Sequence, residues 1–203
     1  MKFETKRTDN YVSVFLSVKI PFVKKTFRHH SILYASPDAW VHGYSSRTFE
    51  GKYVLFHDYD NLELKDVVQE LKFLQKEFGL STYYVFKLDR ENSFHAVCLD
   101  TFPIAKAYEI QKSTSCDLAF IHSIKNLQTK EWILRIGGKG NRHAPKFLCG
   151  LPSKKNDLHV KSSAHKDFLI KYFGVPKEFF KGRKWDGSNK LGLTDYNTGN
   201  RIK

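Results

Sequence analysis

In Val54-Leu55-Phe56-His57-Asp58-Tyr59-Asp60-Asn61 an apolar run leads into two carboxylates two positions apart. Side chains on a strand alternate between faces, so Asp58 and Asp60 leave on the same side and can converge. Two close carboxylates repel, and one keeps its proton unless a cation intervenes. A divalent metal resolves that conflict, since Mg²⁺ takes oxygen ligands and is commonly held by one or two carboxylates together with substrate phosphates. The competing assignment makes both of them turn residues, with Asp60 or Asn61 capping a following helix.

Ser93 and His95 repeat the i, i+2 spacing at the start of a second apolar run, Phe94 to Leu99. A hydroxyl and an imidazole on one face can donate hydrogen bonds to a phosphate, or can be an ordinary strand-edge pair. Asp117 opens the run Leu118-Ala119-Phe120-Ile121 and stands as a third carboxylate at a strand terminus or as a solvated turn residue. In Glu131-Trp132-Ile133-Leu134-Arg135-Ile136-Gly137-Gly138-Lys139-Gly140, an arginine lies inside an apolar strand and glycines follow it. Burying an arginine is costly unless it is paired, and glycine permits close backbone approach to a ligand. Arg135 and Lys139 are therefore candidates for triphosphate binding.

Other chemistries lack their residues. The glycines after Arg135 do not form a P-loop, which needs GxxxxGK[ST] leading into a helix. No serine sits in a GxSxG elbow, as a hydrolase of that type requires. Cys98, Cys116 and Cys149 contain no CxxC pair, so neither a zinc site nor a disulfide framework is expected. His29-His30 lacks the His-hydrophobic-His alternation of a rolling-circle nicking nuclease.

The elements that must position these residues follow from periodicity. Residues 11–20 read as a strand ended by Pro21, and 22–50 as less regular, with Lys24, Lys25, Arg28, His29 and His30 on a solvated loop or edge. Residues 52–58 read as a buried strand. Leu64, Val67, Val68, Leu71, Leu74 and Phe78 recur at helical spacing before Gly79, a C-terminal cap. Residues 82–88 and 94–99 read as strands joined by a polar hairpin loop, and 103–112 as a helix with proline in its first turn. Residues 117–121 and 132–136 complete the set as strands, 164–173 as a further helix and 176–180 as a turn.

From residue 52 the order is β-α-β-β-α-β with one extra strand. The fold expected is α+β: an RRM-like or ferredoxin-like split βαβ sheet, helices on one face and the other face free, with an N-terminal β-containing extension and a basic C-terminal extension. One domain is expected over 1–180, its core at about 50–147, and a flexible basic tail or linker over 181–203.

The chain has 203 residues, a formal net charge of +13 and 15% aromatic residues, which describes a folded protein and not a disordered one. Basic residues outnumber acidic ones by 8 to 4 over 1–50, 14 to 12 over 51–150 and 12 to 5 over 151–203. Basic ends with interleaved aromatics suit a polyanion such as nucleic acid. No signal peptide or membrane span is read, and the odd, unpatterned cysteines fit a cytoplasmic setting.

Taken in order, the strand ending in Asp58-x-Asp60, then Ser93-x-His95, then Asp117, then Arg135 with Lys139, resembles the archaeo-eukaryotic primase superfamily over about residues 50–147. The resemblance implies a metal-dependent, template-directed nucleotidyltransferase, a DNA primase or primase-polymerase. Asp58, Asp60 and Asp117 would be catalytic and hold Mg²⁺ or Mn²⁺, while Ser93, His95, Arg135 and Lys139 would bind the nucleoside triphosphate. Single-stranded DNA template and primer would be its partners, with a helicase module, if one exists, beyond Lys203 or on another protein. Where some members carry a basic residue two positions before the serine, this chain has Glu91, and Lys87 or Arg90 would substitute from the loop. The missing zinc knuckle favours plasmid, viral or primase-polymerase branches. The alternative is a non-catalytic replication initiator that binds nucleic acid through exposed aromatics on an RRM-like sheet.

Overall fold

The computed structural model describes residues 2–7, 11–19, 26–36, 39–48, 51–126, 131–153, 169–171 and 173–181, and before residue 43 what it describes is the backbone pairing of strands. The architecture is α+β with two antiparallel sheets. The first sheet has the order β1-β2-β3-β4-β8, built from β1 (Lys2–Arg7), β2 (Tyr11–Lys19), β3 (Thr26–Ser36), β4 (Ala39–Ser45) and β8 (Ile133–Arg135). The second has the order β5-β7-β6-β9, from β5 (Tyr53–Tyr59), β6 (Tyr83–Lys87), β7 (Phe94–Phe102) and β9 (Lys146–Leu151). Helix α1 (Leu64–Phe78) connects β5 to β6, and α2 (Ile104–Lys112) and α3 (Leu118–Asn126) follow β7.

Local chemistry accounts for the central elements. Val67, Leu71 and Leu74 of α1 are fully buried, and the helix stops at Gly79, whose φ of 65° is the left-handed conformation glycine adopts without a Cβ clash. The N-cap of α1 is Glu63, so neither Asp60 nor Asn61 caps it; Asn61 instead makes the turn, at φ 60°. Helices α1 and α2 cover the face of the second sheet that carries His57 and Tyr59. Tyr59 donates to Glu70 Oε1 of α1 at 2.8 Å, and the Gln111 side-chain amide of α2 donates to the Phe56 carbonyl.

Four expectations need correction. Residues 26–36 and 39–45 form strands, and β3 lies inside the first sheet between β2 and β4, so Arg28, His29 and His30 belong to an interior strand; Lys24 and Lys25 fall outside the described residues. The apolar run after Asp117 is helix α3 and not a strand. Phe120, Ile121 and Ile124 are buried while Leu118 is exposed, a one-sided pattern at helical spacing that a four-residue apolar run does not reveal.

The segment 132–136 supplies a strand, but β8 joins β4, and β9 takes the fourth place in the second sheet beside β6. The residues before β8 hold it there: the Ser45 hydroxyl donates to Glu131, Arg47 lies 3.9 Å from Glu131, and the Trp132 amide donates to Ser46 Oγ at 3.1 Å. The two sheets meet at this seam, where Val54 N–H bonds to the Ser46 carbonyl and Ser46 N–H to that of Trp132.

The second face of the β5-β7-β6-β9 sheet is not free. Residues 169–171 and 173 are helical, a 3-10 helix follows at Lys177–Phe180, and Phe173, Phe179 and Phe180 lie against Phe56, Phe86, Tyr84 and Phe147. The expected helix over 164–173 is described only from 169, and of the expected tail over 181–203 only Lys181 falls within the described residues. Among the described residues no helix is long and apolar enough to cross a membrane.

Candidate active site

Strand register aligns the candidate residues. Asp58 of β5 pairs with His95 of β7, His95 with Phe86 of β6, and Phe86 with Phe147 of β9. Directly paired residues share a face, so a carboxylate, an imidazole and two phenyl rings form one row across the sheet. The row lies opposite α1 and α2.

The acidic end of the row opens into a cleft of about 210 Å³ lined by Asp58, Asp60, Leu88, Arg90, His95, Ile133, Leu134, Arg135, Lys139 and Arg142. Two carboxylates thus share a cleft with four guanidinium or ammonium groups and one imidazole. His95 Nε2 lies 3.4 Å from Asp58 Oδ1, a buried oxygen that makes no hydrogen bond of good geometry. Arg90 Nη1 lies 2.9 Å from Asp60 Oδ2. A second cavity of about 250 Å³ shares His95 and Arg135 with the cleft and is otherwise walled by Phe86, Ile136, Ala144, Pro145, Lys171, Phe173 and Gly174.

Two loops hold the cations in position. Arg135 Nη1 donates to the carbonyls of Gly137 at 2.7 Å and His143 at 3.2 Å, so the guanidinium closes the loop that follows its own strand. Lys139 and Arg142 exchange two backbone hydrogen bonds of 3.0 Å around Gly140, whose φ of 56° makes the turn. At Gly138 a Cβ would lie 2.9 Å from the Arg142 carbonyl oxygen, so that close approach requires glycine. The β6–β7 hairpin is tied to both walls: the Asp89 carboxylate accepts the His143 amide, and Leu62 N–H bonds to the Asn92 carbonyl at 3.0 Å.

Of the seven residues singled out in the sequence, the structure brings Asp58, Asp60, His95, Arg135 and Lys139 into this cleft. Ser93 is fully buried at the base of β7, donates to the Glu91 carbonyl at 3.2 Å, and does not line it. Asp117 is adjacent through its backbone, whose N–H donates to the Asp58 carbonyl at 2.8 Å. Its side chain caps α3 instead, with Oδ1 accepting the Ala119 N–H at 3.0 Å. No group of three or more His, Cys, Asp or Glu disposed to hold a metal occurs among the described residues. The donors present do fit a cation held partly by substrate: two carboxylates, one with a buried oxygen short of hydrogen bonds, facing a basic wall that can take phosphates.

Sequence reasoning assigned no role to Arg142, and Arg90 entered only as a loop substitute. The signal for Arg142 was the short glycine-rich turn that carries Lys139, which returns the chain to the same wall.

On the opposite face, His57 Nε2 lies 3.0 Å from Tyr83 Oη and Nδ1 lies 3.4 Å from Cys116 Sγ. Burial drives His57 down to about 3 and pushes the Cys116 thiol up to about 12. Both are therefore neutral at physiological pH, and the pair is no thiolate–imidazolium nucleophile. A scan against protein-family models found no matching family, and searches of curated proteins and of solved structures found no match.

Proposed function

We propose that the chain is a metal-dependent nucleotidyltransferase that extends a nucleic-acid strand on a template, of the primase-polymerase kind. The observation that carries this reading is the cleft itself, where Asp58 and Asp60 face Arg90, Arg135, Lys139 and Arg142 within one cavity. Carboxylates that can hold a divalent cation, opposite several fixed positive charges, are the parts that phosphoryl transfer needs. The strand order β5-β7-β6, with α1 and α2 on one face, supports an RRM-like core for this reading, although the fourth strand joins at the β6 edge.

Asp58 and Asp60 would hold Mg²⁺ or Mn²⁺, with phosphate oxygens completing the shell. The ion would supply charge neutralisation on the transferring phosphoryl group and activation of the attacking hydroxyl. Arg135, braced by the carbonyls of Gly137 and His143, would orient the triphosphate, and Lys139 and Arg142 would take the charge of its distal phosphates. His95 would donate a hydrogen bond to phosphate from its position beside Asp58. Asp117 enters as a positioning residue, since its N–H fixes the carbonyl of Asp58.

A purely binding role on an open aromatic sheet has less in its favour, because Phe56 and Phe86 on that face are 1% exposed. The test is extension of a primed single-stranded DNA template with nucleoside triphosphates and Mg²⁺ or Mn²⁺. Wild type is expected to extend it, and Asp58→Asn to lose about 100-fold or more in rate. Equal inactivity of both proteins across metals and nucleotides would overturn the reading.

A further inference from the structure

Both carboxylates of the cleft already have a nitrogen-bearing side chain of the protein beside them. Asp58 has His95 at 3.4 Å, and Asp60 has the Arg90 guanidinium at 2.9 Å. Without such partners two carboxylates at i and i+2 of one strand end would repel. Arg90 is not anchored as a structural ion pair would be. Its side chain is 48% exposed, that of Asp60 is 30% exposed, and both belong to a cleft with three further cations.

The backbone beneath Arg90 is held from several sides. Leu88 N–H bonds to the Ser93 carbonyl at 3.1 Å, Leu62 N–H to that of Asn92 at 3.0 Å, and Lys87 Nζ to that of Arg90 at 3.2 Å. Asp89, the preceding residue, accepts the His143 amide across the cleft. A change of partner by Arg90 therefore needs only side-chain rotation.

We infer that Arg90 is an exchangeable counter-ion: it occupies Asp60 in the free protein and passes to the triphosphate when a divalent cation takes Asp60. This inference rests on the nucleotidyltransferase reading and adds to it a residue with two successive partners. Guanidinium suits the exchange, because its planar fork of donors matches a phosphate as well as a carboxylate. The exchange makes the two ligands interdependent. Metal alone must displace Arg90 without giving it a new partner, whereas metal with triphosphate supplies one.

Arg90→Ala separates the two halves of this cycle in binding measurements that need no turnover. Mn²⁺ alone, titrated by electron paramagnetic resonance, is expected to bind the variant about two- to fivefold more tightly, the scale of a part-exposed ion pair. ATP in the presence of Mn²⁺ is expected to bind it about tenfold more weakly, for loss of a charge-assisted contact. Arg90→Lys keeps the charge without the fork and should lie between wild type and Arg90→Ala in both measurements. Thermal melting of the variants checks that the fold is kept.

Opposite shifts in the two affinities support the exchange. If wild type binds both ligands and Arg90→Ala moves them in the same direction, or leaves Mn²⁺ binding unchanged, the exchange is wrong while the nucleotidyltransferase reading stands. If wild type binds neither Mn²⁺ nor ATP, that reading fails and the exchange fails with it.

Discussion

His57 and Asp58 are neighbours in sequence and lie on opposite faces of β5, and the difference in their surroundings is the difference in their chemistry. Asp58 borders a cleft, whereas His57 is fully buried between Tyr59, Tyr83 and Cys116. Burial lowers the His57 pKa from the ordinary 6.5 to about 3, so the folded protein holds this imidazole neutral. The unfolded chain takes up a proton there as pH falls through 6.5. The stability linked to His57 is thus fully present above pH 6.5 and is lost as pH falls toward 3, by at most about 1.4 kcal/mol per pH unit. His57→Gln is expected to flatten this part of the pH dependence, measured as urea midpoints between pH 7 and pH 4.5. At this scale Asp58, Asp60 and His95 were legible, because i and i+2 spacing on strands assigns a face directly. Ser93 obeys the same spacing, yet its hydroxyl is taken by the Glu91 carbonyl in the hairpin turn, a local hydrogen bond that spacing does not show.

The loop after β8 is an element in its own right, a tight hairpin that delivers Lys139 and Arg142 to one wall of the cleft. Gly138→Ala would push a methyl against the Arg142 carbonyl and part the two strands of that hairpin. Because the hairpin is mostly exposed, its melting temperature should stay near that of wild type, while affinity for ATP with Mn²⁺ should fall about tenfold, a cost of about 1.4 kcal/mol. Equilibrium binding with a parallel thermal melt checks both outcomes. Helix α1 and strands β5, β6 and β7 were readable in advance, since each has enough residues to show its period. Helix α3 was not. Its first four residues are apolar throughout, and only the burial of Ile124 one turn later, with Asp117 capping the first turn, marks it as helical.

At the scale of the whole molecule, the cleft is lined by segments far apart in the chain, β5, the β6–β7 hairpin, β7 and residues 133–142, while Phe173, Phe179 and Phe180 cover the same face of the sheet beyond it. Phe173 packs with ring centroids 5.5 Å from Phe86, 6.2 Å from Tyr44 and 6.3 Å from Phe56, and so joins the second sheet to the end of β4. Phe173→Ala should therefore cost about 3–5 kcal/mol, read as a fall in the chemical denaturation midpoint. The sequence alone determined a set of local facts: the strands β5, β6 and β7, helix α1 with its glycine stop, the shared side of Asp58 and Asp60, and the surplus of positive charge. Those follow from periodicity and composition, which act within a few residues. Only the tertiary structure decided that β8 leaves the second sheet for the first, that β9 replaces it, that the open face is covered, and that Arg90 and Arg142 reach the same cleft as Asp58. Each of these depends on contacts between residues far apart in the chain, as when Glu131 meets Ser45 and Arg47, and no local pattern encodes such a meeting.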